Sequence, residues 1–301
     1  MADVFEKNKI YLGDCLEIMP TFPDGVFDMI LCDLPYGTTA CKWDTVIDLK
    51  KLWIEYERLI KPNGAIVLTA SQPFTSALVM SNPKMFRYEW IWNKIIPTGF
   101  TMANYAPMKL HENILVFSNG KITYTPNGGY IKFNPQKTKR DKPIKGYAVL
   151  SEFLHDVEFD KTERIYTEKN PMSIIEVKKL KVTEHASQKP VELFEYLIKT
   201  YTNEGELILD NCAGSGTTAI ACLNTNRQFI VMEKEEKYYD IIKKRVADFN
   251  KNFEPKTLFD AQPEALHIAR VSGQVCEHPY HLVEERLNGK VKWCFNCNSE
   301  F

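Results

Sequence analysis

The stretch Leu209–Thr218, with the sequence LDNCAGSGTT, decides the fold of this chain of 301 residues. An apolar run ends at Asp210, and Gly214 and Gly216 then allow a sharp turn into a helix and a close approach of a ligand to the backbone. One strand later, the run Phe229–Glu233 again ends in an acid, and a carboxylate there accepts hydrogen bonds from ribose hydroxyls in nucleotide-binding α/β units. Because the loop lacks a third glycine and a Gly-Lys-Ser/Thr sequence, it favours a nucleoside without phosphate.

Short apolar runs alternate with helix-period segments along most of the chain, which predicts an α/β protein. The predicted buried strands are 28–32, 64–69, 113–117, 206–209 and 228–232. The predicted amphipathic helices cover 49–60, which stops at the Pro-Asn-Gly sequence of 62–64, and 193–201. Strands buried on both faces with helices between them indicate a Rossmann-like, doubly wound and mostly parallel sheet.

Composition restricts the class of protein. The chain is 44% hydrophobic and 12% aromatic, which is enough for a packed core. It has no apolar stretch of the roughly 18 residues that a membrane span needs and no signal-peptide core at its start, so a soluble cytoplasmic protein is expected. The net charge of −1 gives no general attraction to polyanions.

Positive charge is nevertheless concentrated in one segment. The stretch 132–145, KFNPQKTKRDKPIK, holds six cations and one anion. It lies inside a region from about 97 to 185 in which periodicity is lost, and we interpret that region as an insertion into a domain of residues 1–250. A solvated surface loop is the alternative interpretation of the basic stretch.

A polar linker, 251–264, precedes a small C-terminal unit, 265–301. In this unit Cys276, His278, Cys294 and Cys297 have the number and spacing of ligands in a structural zinc site, with His281 as the alternative fourth ligand. So short a unit hardly folds without metal or disulfides, and the pattern predicts a zinc ribbon. Free thiols on a frayed tail are the alternative.

A second motif lies near the start of the chain. Residues 30–37, ILCDLPYG, form an apolar strand that ends in Asp33 and is followed by proline, an aromatic residue and glycine. Residues just beyond the carboxyl ends of strands line the ligand crevice of an open α/β sheet, so Asp33 is predicted to face the site. The same residues are also compatible with a simple strand-terminating turn.

These motifs carry a family resemblance. Asp33-Leu-Pro-Tyr36 resembles the catalytic D-P-P-Y motif of amino-group DNA methyltransferases, and the segment from Asp210 to Thr218 is similar to their D-P-F-x-G-S-G-T cofactor loop. HASQKPVEL, residues 185–193, resembles their H-x-x-Q-K-P-x-E-L segment. A catalytic motif before the cofactor motifs is the order of the β class. Leu34 replaces the first proline, and Asn211-Cys212 replaces Pro-Phe.

The resemblance implies a chemistry for the first motif. The donor would be S-adenosylmethionine, and the acceptor an exocyclic amine of a base flipped out of double-stranded DNA. The Asp33 carboxylate and the Leu34 carbonyl would accept the two amine N–H groups and so expose the nitrogen lone pair. Tyr36 would stack on the base, and Pro35 completes the catalytic set. Aspartate at position 33 favours adenine N6, since enzymes that modify cytosine N4 usually carry serine there.

The resemblance also implies the binding residues. Asp14, in an acidic turn that is equally compatible with a plain surface turn, would contact the cofactor adenine, Lys189 the methionine moiety, Asp210 its cationic end and Glu233 the ribose. The predicted cofactor residues are Asp14, Asp33, Lys189, Asp210, Cys212, Ala213, Gly214, Ser215, Gly216, Thr217 and Glu233. The predicted phosphate contacts are Lys132, Lys137, Lys139, Arg140, Lys142 and Lys145.

Two other functions stay open at this point. The same fold could methylate cytosine N4 or an RNA base. It could also serve as a catalytically silent DNA-binding module, although the presence of Asp33, Tyr36, Gly214, Gly216 and Glu233 together favours an enzyme. A bacterial or phage-encoded enzyme is expected, in a restriction–modification system or alone, and the oligomeric state is open, with a homodimer as one option.

Overall fold

The computed structural model describes residues 5–38, 41, 44–122, 128–146, 164–180 and 188–253, together with three short strands near the C-terminus. The chain divides into two compact units, Met1–Phe253 and Glu254–Phe301. In the second unit, β11 (Val283–Glu285), β12 (Lys292–Cys294) and β13 (Ser299–Glu300) pair antiparallel in the order β11-β12-β13. The remaining elements belong to the first unit.

The described part of the first unit contains ten strands, six α-helices and two short 3-10 helices, Met19–Thr21 and Phe100–Met102. The strands are β1 (Lys9–Leu12), β2 (Phe27–Asp33), β3 (Ile60–Ala70), β4 (Phe86–Thr98), β5 (Lys109–Phe117), β6 (Thr138–Gly146), β7 (Arg164–Lys169), β8 (Ile174–Glu176), β9 (Leu207–Asp210) and β10 (Gln228–Glu233). The helices are α1 (Cys15–Ile18), α2 (Leu49–Leu59), α3 (Phe74–Ser81), α4 (Val191–Tyr201), α5 (Thr217–Asn224) and α6 (Glu236–Phe253).

Eight of the described strands form one sheet in the order β1-β10-β9-β2-β3-β5-β4-β8. Every neighbouring pair in it is parallel except the two pairs made by β5, which runs antiparallel to β3 and β4. The predicted mostly parallel α/β sheet is therefore confirmed. From β2 the sheet continues through β3 in one direction, and from β9 it continues through β10 in the opposite direction. The strand order therefore reverses between β2 and β9, and a crevice is expected where the carboxyl ends of these two strands meet.

Helices cover both faces of the sheet, because its central strands carry buried apolar side chains on both faces. Alternate residues of β2 point to opposite faces: Ile30 packs in one apolar cluster with Leu52 and Tyr56 of α2, and Leu31 packs in the other with Leu197 of α4. Asp48 caps α2 by accepting hydrogen bonds from the backbone N–H groups of residues 50 and 51. The predicted two-sided burial of the sheet follows from these contacts.

Two boundaries differ from the sequence prediction. Helix α2 ends at Leu59, and β3 continues from Ile60 through Pro62, because Ile60 pairs with Phe27 at the start of β2. The predicted insertion of 97–185 is too wide, because β5 lies inside that range and pairs with β3 in the main sheet. Strand β4 was not predicted, although aromatic residues at every second position from 86 to 92 are a strand signal.

Strands β6 and β7 form a separate two-stranded antiparallel ribbon. It leaves the main sheet beside β4, where Phe133 stacks on Trp90 with ring centroids 6.3 Å apart and the carbonyl of Ser173 accepts a hydrogen bond from Ile91 N. Nearly all residues of the two strands are exposed. In the described part of the chain, every helix is too short or too polar to span a bilayer.

Candidate active site

A cleft of about 460 Å³ opens at the carboxyl ends of β2, β9 and β10. This volume lies in the range of small-molecule sites. Its wall includes Asp33–Tyr36 after β2, the loop 210–215 after β9, and Glu233 at the end of β10. The two motifs that are about 180 residues apart in the sequence therefore share one cavity, as the doubly wound topology requires.

Asp33, the last residue of β2, has hydrogen-bond partners on both carboxylate oxygens. Oδ1 accepts from the Tyr36 hydroxyl at 2.7 Å and from the Thr69 hydroxyl, and Oδ2 accepts from Lys189 Nζ at 2.7 Å. Thr69 is its register partner on β3, so the sheet itself places this donor. A carboxylate has about four lone-pair positions, and three of those on Asp33 have donors among the residues that the structure describes, so one position on Oδ2 is open to a further donor there.

Tyr36 lies between the catalytic motif and helix α3. Its ring stacks on Phe74, with centroids 5.4 Å apart and an interplanar angle of 22°, and its hydroxyl oxygen lies 3.0 Å from Thr69 Oγ1. Burial and the Asp33 carboxylate raise the pKa of the Tyr36 hydroxyl well above its usual value, so it stays a donor. The base-stacking face predicted for Tyr36 is thus partly shared with Phe74.

The rest of the catalytic motif is held by a residue that the sequence analysis missed. The Asp44 carboxylate accepts hydrogen bonds from the backbone N–H groups of Tyr36, Gly37 and Thr38 at 2.7, 2.8 and 2.9 Å. Leu34 and Pro35 line the same cleft, with the Leu34 side chain buried in the core. No local pattern marks Asp44, because its partners are six to eight residues earlier in the chain.

Lys189 is almost fully buried and connects two carboxylates. Its Nζ lies 2.7 Å from Asp33 Oδ2 and 3.4 Å from Glu112 Oε2, the second contact being an ion pair without hydrogen-bond geometry. Glu112 Oε1 in turn lies 3.3 Å from Lys94 Nζ. Burial works to lower the pKa of Lys189, but the Asp33 and Glu112 carboxylates outweigh it and raise that pKa, so the ammonium stays charged.

The QKP segment contributes Lys189 to the cleft wall, where the Lys189 ammonium contacts Asp33. The predicted contact of Lys189 with the methionine moiety stays a prediction. Glu112 and Lys94 were missed, because they lie on β5 and β4 in or next to the range taken as an insertion. Burial lowers the pKa of Lys94, whose Nζ also donates to the Thr98 hydroxyl at 3.2 Å. His185 of the same segment lies outside the described residues.

The loop after β9 is fastened by Asp210. This carboxylate is buried and accepts hydrogen bonds from the Thr218 hydroxyl at 2.5 Å and from Cys212 N at 3.0 Å. Burial raises the pKa of Asp210 to about 6. Its contacts tie the loop to the first turn of α5, so Asp210 orders the loop in addition to lining the cleft.

The two glycines of the loop have different roles. Gly214 adopts φ +53° and donates its N–H to Glu233 Oε2 at 2.8 Å, so it joins the loop to the acid at the end of β10. Gly216, with φ +79°, lies outside the cleft wall, and a Cβ there would come within 2.9 Å of Ile242 on α6. The absence of a side chain at Gly216 therefore lets α5 pack against α6, and its predicted contact with the cofactor stays a prediction.

Glu233 and Asp14 stand at the same end of the cleft. The Glu233 carboxylate accepts from the N–H groups of Gly214, Lys234 and Glu235 at 2.8, 2.9 and 2.9 Å. Burial raises the pKa of Glu233 although these N–H groups work in the opposite direction. Asp14 caps α1 through Leu16 N, and its other oxygen lies 2.9 Å from Lys234 Nζ, which lowers the Asp14 pKa.

The remaining predicted cofactor residues, Cys212, Ala213, Ser215 and Thr217, also line the cleft. The wall contains further residues that sequence analysis did not single out, among them Val46, Ile47, Asn211 and Tyr238. Asn211 Oδ1 accepts a hydrogen bond from the Tyr56 hydroxyl of α2 at 2.5 Å. These residues come from loops and from α6, whose approach to the cleft depends on the fold.

The predicted phosphate contacts divide into two groups. Lys132 is removed from the set for two reasons. Its ammonium is paired with Glu206 and lies 3.9 Å from the Asp28 carboxylate. Its backbone N–H donates to the carbonyl of Asn63 near the amino end of β3, and that end of the strand lies opposite the cleft. Strand β6 of the ribbon carries Lys139, Arg140, Lys142 and Lys145. Lys137 precedes this strand, and its Nζ lies 3.6 Å from Glu168 Oε2. None of these residues is among those that line the described cleft.

The predicted zinc ligands give a different outcome. Cys276, His278, His281 and Cys297 lie outside the described residues, and Cys294 ends β12, of which only the backbone is described. Among the side chains that the structure describes, no group of three His, Cys, Asp or Glu has an arrangement that could hold a metal ion. The zinc ribbon therefore stays a prediction.

Comparisons with known proteins agree with this geometry. A family model described as DNA methylase, of the N6/N4 type, matches residues 27–244. The type II methyltransferase M.BglI of Bacillus subtilis is 35% identical, with 81% of this chain and 87% of the relative covered. The type II methyltransferase M.HpaI of Haemophilus parainfluenzae is 26% identical, with 80% and 75% covered.

Solved structures give the same result. The crystal structure of the M1.HpyAVI–SAM complex superposes with a TM-score of 0.54 at 25% identity and covers 79% of this chain and 98% of its own. The PvuII cytosine-N4-specific DNA methyltransferase, at 13% identity and a TM-score of 0.56, shows the likeness of the fold alone, over 84% of this chain and 88% of its own. The chain therefore belongs to the N6/N4 DNA methylase family, the amino-group DNA methyltransferases.

Proposed function

We propose that this protein transfers a methyl group from S-adenosylmethionine to adenine N6 of a DNA base that has been flipped out of the duplex. The observation that carries the proposal is the shared cleft, in which the Asp33 carboxylate and the loop joined to Glu233 line one cavity. The similar M1.HpyAVI structure is a complex with SAM, which supports this donor.

The cleft fits such a nucleoside. S-adenosylmethionine, when bound, supplies an electrophilic methyl group on a sulfonium. Glu233 would hold the ribose, and three of its four lone-pair positions are already used by N–H groups, so one ribose hydroxyl is the natural partner of the fourth. Asp14, Lys234 and the backbone around Gly214 border the same end of the cleft and would surround the remainder of the cofactor.

Asp33 would orient the target amine. An exocyclic amine is a weak nucleophile, because its lone pair is delocalised into the base ring. The free position on Asp33 Oδ2 would accept one N–H of the amine, and the Leu34 carbonyl the other, which exposes the nitrogen lone pair and stabilises its developing positive charge. The Tyr36 and Thr69 hydroxyls on Oδ1 keep the carboxylate in this orientation. As the N–C bond forms, the C–S bond of the donor would break and its electron pair would stay on the sulfur of the departing S-adenosylhomocysteine, while the surplus proton of the methylated amine would pass to water.

Lys189 would have to move for this step. An ammonium 2.7 Å from Asp33 opposes positive charge on the amine, since it occupies the carboxylate that must stabilise that charge. Glu112 Oε2 lies 3.4 Å from the same ammonium and is a buried acceptor without a hydrogen bond among the described residues. We therefore assign to Glu112 a positioning role: it receives Lys189 when the base enters.

Adenine is preferred over cytosine for one reason. Asp33 stands at the motif position where cytosine-N4 enzymes usually carry serine, and a carboxylate gives the stronger charge-assisted hydrogen bond to the amine. Cytosine N4 and an RNA base are the alternative acceptors. The similarity to type II methyltransferases favours a protective role beside a restriction endonuclease.

The β6–β7 ribbon is proposed as a DNA contact. A two-stranded ribbon fits the major groove of B-DNA, and this one is exposed on nearly all sides. Its cations outnumber its acids; they are Lys139, Arg140, Lys142, Lys145, Arg164 and Lys169, against Asp141 and Glu168. These charges would contact phosphates in place of the excluded Lys132.

The proposal is tested by incubating the protein with duplex DNA and tritiated S-adenosylmethionine, followed by mapping of the modified bases. We expect label at adenine N6, abolished in Asp33→Ala with DNA affinity retained. Asp24→Ala is the matched control, because Asp24 is an exposed acid paired with Arg58. Label in the Asp33→Ala protein, or DNA binding without any label in the wild type, would contradict the assignment, and label on cytosine or RNA would select an alternative acceptor.

The domain division and the zinc ribbon are proposed on sequence grounds. The cysteine and histidine spacing from 276 to 297 supports a structural zinc ion in residues 265–301. Metal analysis of the purified full chain should give one zinc per protein. Substitution of Cys294 and Cys297 by serine should remove the zinc while S-adenosylmethionine binding persists, and a metal content unchanged by these substitutions would contradict the ligand assignment.

A further inference from the structure

Strands β4 and β5 extend beyond the rest of the sheet on the side of the cleft. The last residue of β3, Ala70, pairs with Asn113, and the pairs from Trp92↔Glu112 to Thr98↔Lys109 lie past this point. Strand β8 borders β4 only as far as Asn93. Residues 94–110, which we name the β4–β5 finger, therefore have no neighbouring strand in the part of the chain that the structure describes.

The finger carries an unusual amount of exposed apolar surface. Phe100 and Tyr105 are each 84% exposed. The other large hydrophobic side chains exposed on it are Ile95, Met102, Met108 and Leu110. Contiguous exposed apolar side chains mark interaction sites in soluble proteins, because isolated exposure is normal but a cluster is costly.

Charge selects the kind of partner. The finger contains two lysines, Lys94 and Lys109, and no acidic residue. An apolar tip without negative charge suits a polyanion that also offers apolar surface, and the stacked bases between DNA phosphates have both properties. A second copy of this chain would be the other class of partner for an apolar tip.

The root of the finger is connected to the catalytic carboxylate. Lys94 pairs with Glu112 at 3.3 Å, Glu112 with Lys189 at 3.4 Å, and Lys189 with Asp33 at 2.7 Å. Three ion pairs thus lead from the first residue of the finger to the carboxylate that would hold the target amine. A duplex presented to Asp33 would meet the finger beside the target base.

We infer that the β4–β5 finger is a wedge that enters the base stack of the duplex when the target base is flipped, with Phe100 and Tyr105 as the inserted rings. This inference rests on the proposed function. Flipping leaves a gap in the stack, and an aromatic ring in the gap restores the stacking that the partner base and its neighbours lose. The wedge would favour extrusion of the base, whereas Asp33 would act on it afterwards.

The test compares Phe100→Ala, Tyr105→Ala and the double variant with Ile54→Ala, a matched control on the exposed face of α2. Two duplexes carry the site mapped for the wild type: in one the target base is paired, and in the other it faces an abasic position, which leaves less pairing to break. Single-turnover methylation is measured on both, and 2-aminopurine at the target position reports flipping by its fluorescence.

On the paired duplex we expect the double variant to methylate more slowly than the wild type by about tenfold or more, with a weaker 2-aminopurine signal. On the abasic duplex its rate should return to within about threefold of the wild-type rate. The wedge variants should keep the cofactor affinity and thermal stability of the wild type, and Ile54→Ala should behave like the wild type throughout, because the side chains of Phe100, Tyr105 and Ile54 are all exposed. The rescue separates a wedge from a residue that merely supports the fold, since a folding defect would slow both duplexes alike.

Equal slowing on both duplexes, or wild-type rates for the double variant on the paired duplex, would overturn the wedge. A change in oligomeric state with normal flipping would overturn it in favour of a second copy as the partner. A wild-type protein for which the mapping finds no methylated site would refute the proposed function itself and the wedge with it, whereas an active wild type with unaffected variants would refute the wedge alone.

Discussion

Replacing Glu112 by glutamine should slow methyl transfer without affecting cofactor binding, because it removes the carboxylate that receives Lys189. Lys189 Nζ lies 2.7 Å from Asp33 Oδ2 and 3.4 Å from Glu112 Oε2. Glutamine keeps the size of the side chain and an acceptor oxygen but not the charge. The ammonium would then stay on Asp33 when the base arrives.

The magnitude follows from the two distances. With an effective dielectric constant of about 20, unit charges attract by about 5 kcal/mol at 3.4 Å and by about 6 kcal/mol at 2.7 Å. An ammonium that leaves Asp33 and closes on Glu112 to the shorter distance therefore gains about 1 kcal/mol from the Glu112 carboxylate, and an uncharged glutamine does not supply this gain. The loss corresponds to a single-turnover rate that is about tenfold lower.

The assay is a double-mutant cycle with Lys189→Met, measured as single-turnover rates on the mapped site with saturating cofactor. In the Lys189→Met background there is no ammonium to receive, so Glu112→Gln should change the rate by less than about threefold. Glu89→Gln is the matched control on the neighbouring strand, because its carboxylate accepts from Asn113 and is removed from Lys189.

Equal losses from Glu112→Gln in the two backgrounds would refute the transfer of Lys189 to Glu112. Such a result would mean that Glu112 supports the fold of β5 or binds DNA directly. A weaker affinity for S-adenosylmethionine in Glu112→Gln would contradict the separation of this carboxylate from the cofactor end of the cleft. Thermal unfolding of each variant distinguishes these outcomes from loss of structure.

Three further outcomes are expected. Glu233→Gln should weaken S-adenosylmethionine binding by about tenfold or more in calorimetry, because an amide cannot replace the charge-assisted contacts to three N–H groups. The affinity for DNA should persist, and an equal loss of cofactor affinity and DNA affinity would contradict the ribose role. Gly216→Ala should lower the free energy of unfolding in urea by about 1–3 kcal/mol more than Gly205→Ala does. Both glycines have positive φ, but only at Gly216 would an added Cβ meet a neighbour, Ile242 at 2.9 Å; equal losses of stability in the two variants would show that φ alone matters. Burial raises the pKa of Asp210 from 3.8 to about 6, so the folded protein binds this proton more tightly than the unfolded chain does. The stability that the protonated form contributes is therefore present below about pH 4 and is lost as the pH rises to about 6. Asp210→Asn should flatten this decline in denaturation curves between about pH 4.5 and 6.5, and an unchanged slope would contradict the assignment.

Much of the central fold could be predicted from local patterns. The apolar runs identified β2, β3, β5, β9 and β10, because a strand buried on both faces must be apolar along its whole length. The boundary between α2 and β3 could not be predicted, since pairing of Ile60 with Phe27 overrides the turn signal of Pro62 and Gly64. Strand β4 was overlooked because Arg87 and Glu89 stand between its aromatic residues, so that no continuous apolar run marks it.

The candidate site shows the same division. Asp33, Gly214 and Glu233 stand at strand ends or in a glycine turn, so a sequence pattern marks them. Thr69, Asp44 and Glu112 are distributed over other elements and have no motif of their own. They enter the site only because β3 lies next to β2 in the sheet, with β5 beyond it, and because the Asp44 carboxylate bonds the backbone of residues 36–38.

The sequence by itself determined the α/β class, the family and the residues at the strand ends, because hydrophobic periodicity and short glycine and proline motifs act over a few neighbouring residues. The tertiary structure alone decided that Lys189 pairs with Asp33, that Gly216 serves helix packing, that Lys132 faces away from the cleft, and that the β4–β5 finger stands beside it. The physical reason is that an ion pair, a packing contact or an exposed tip depends on distances between elements, and strand order and register set those distances.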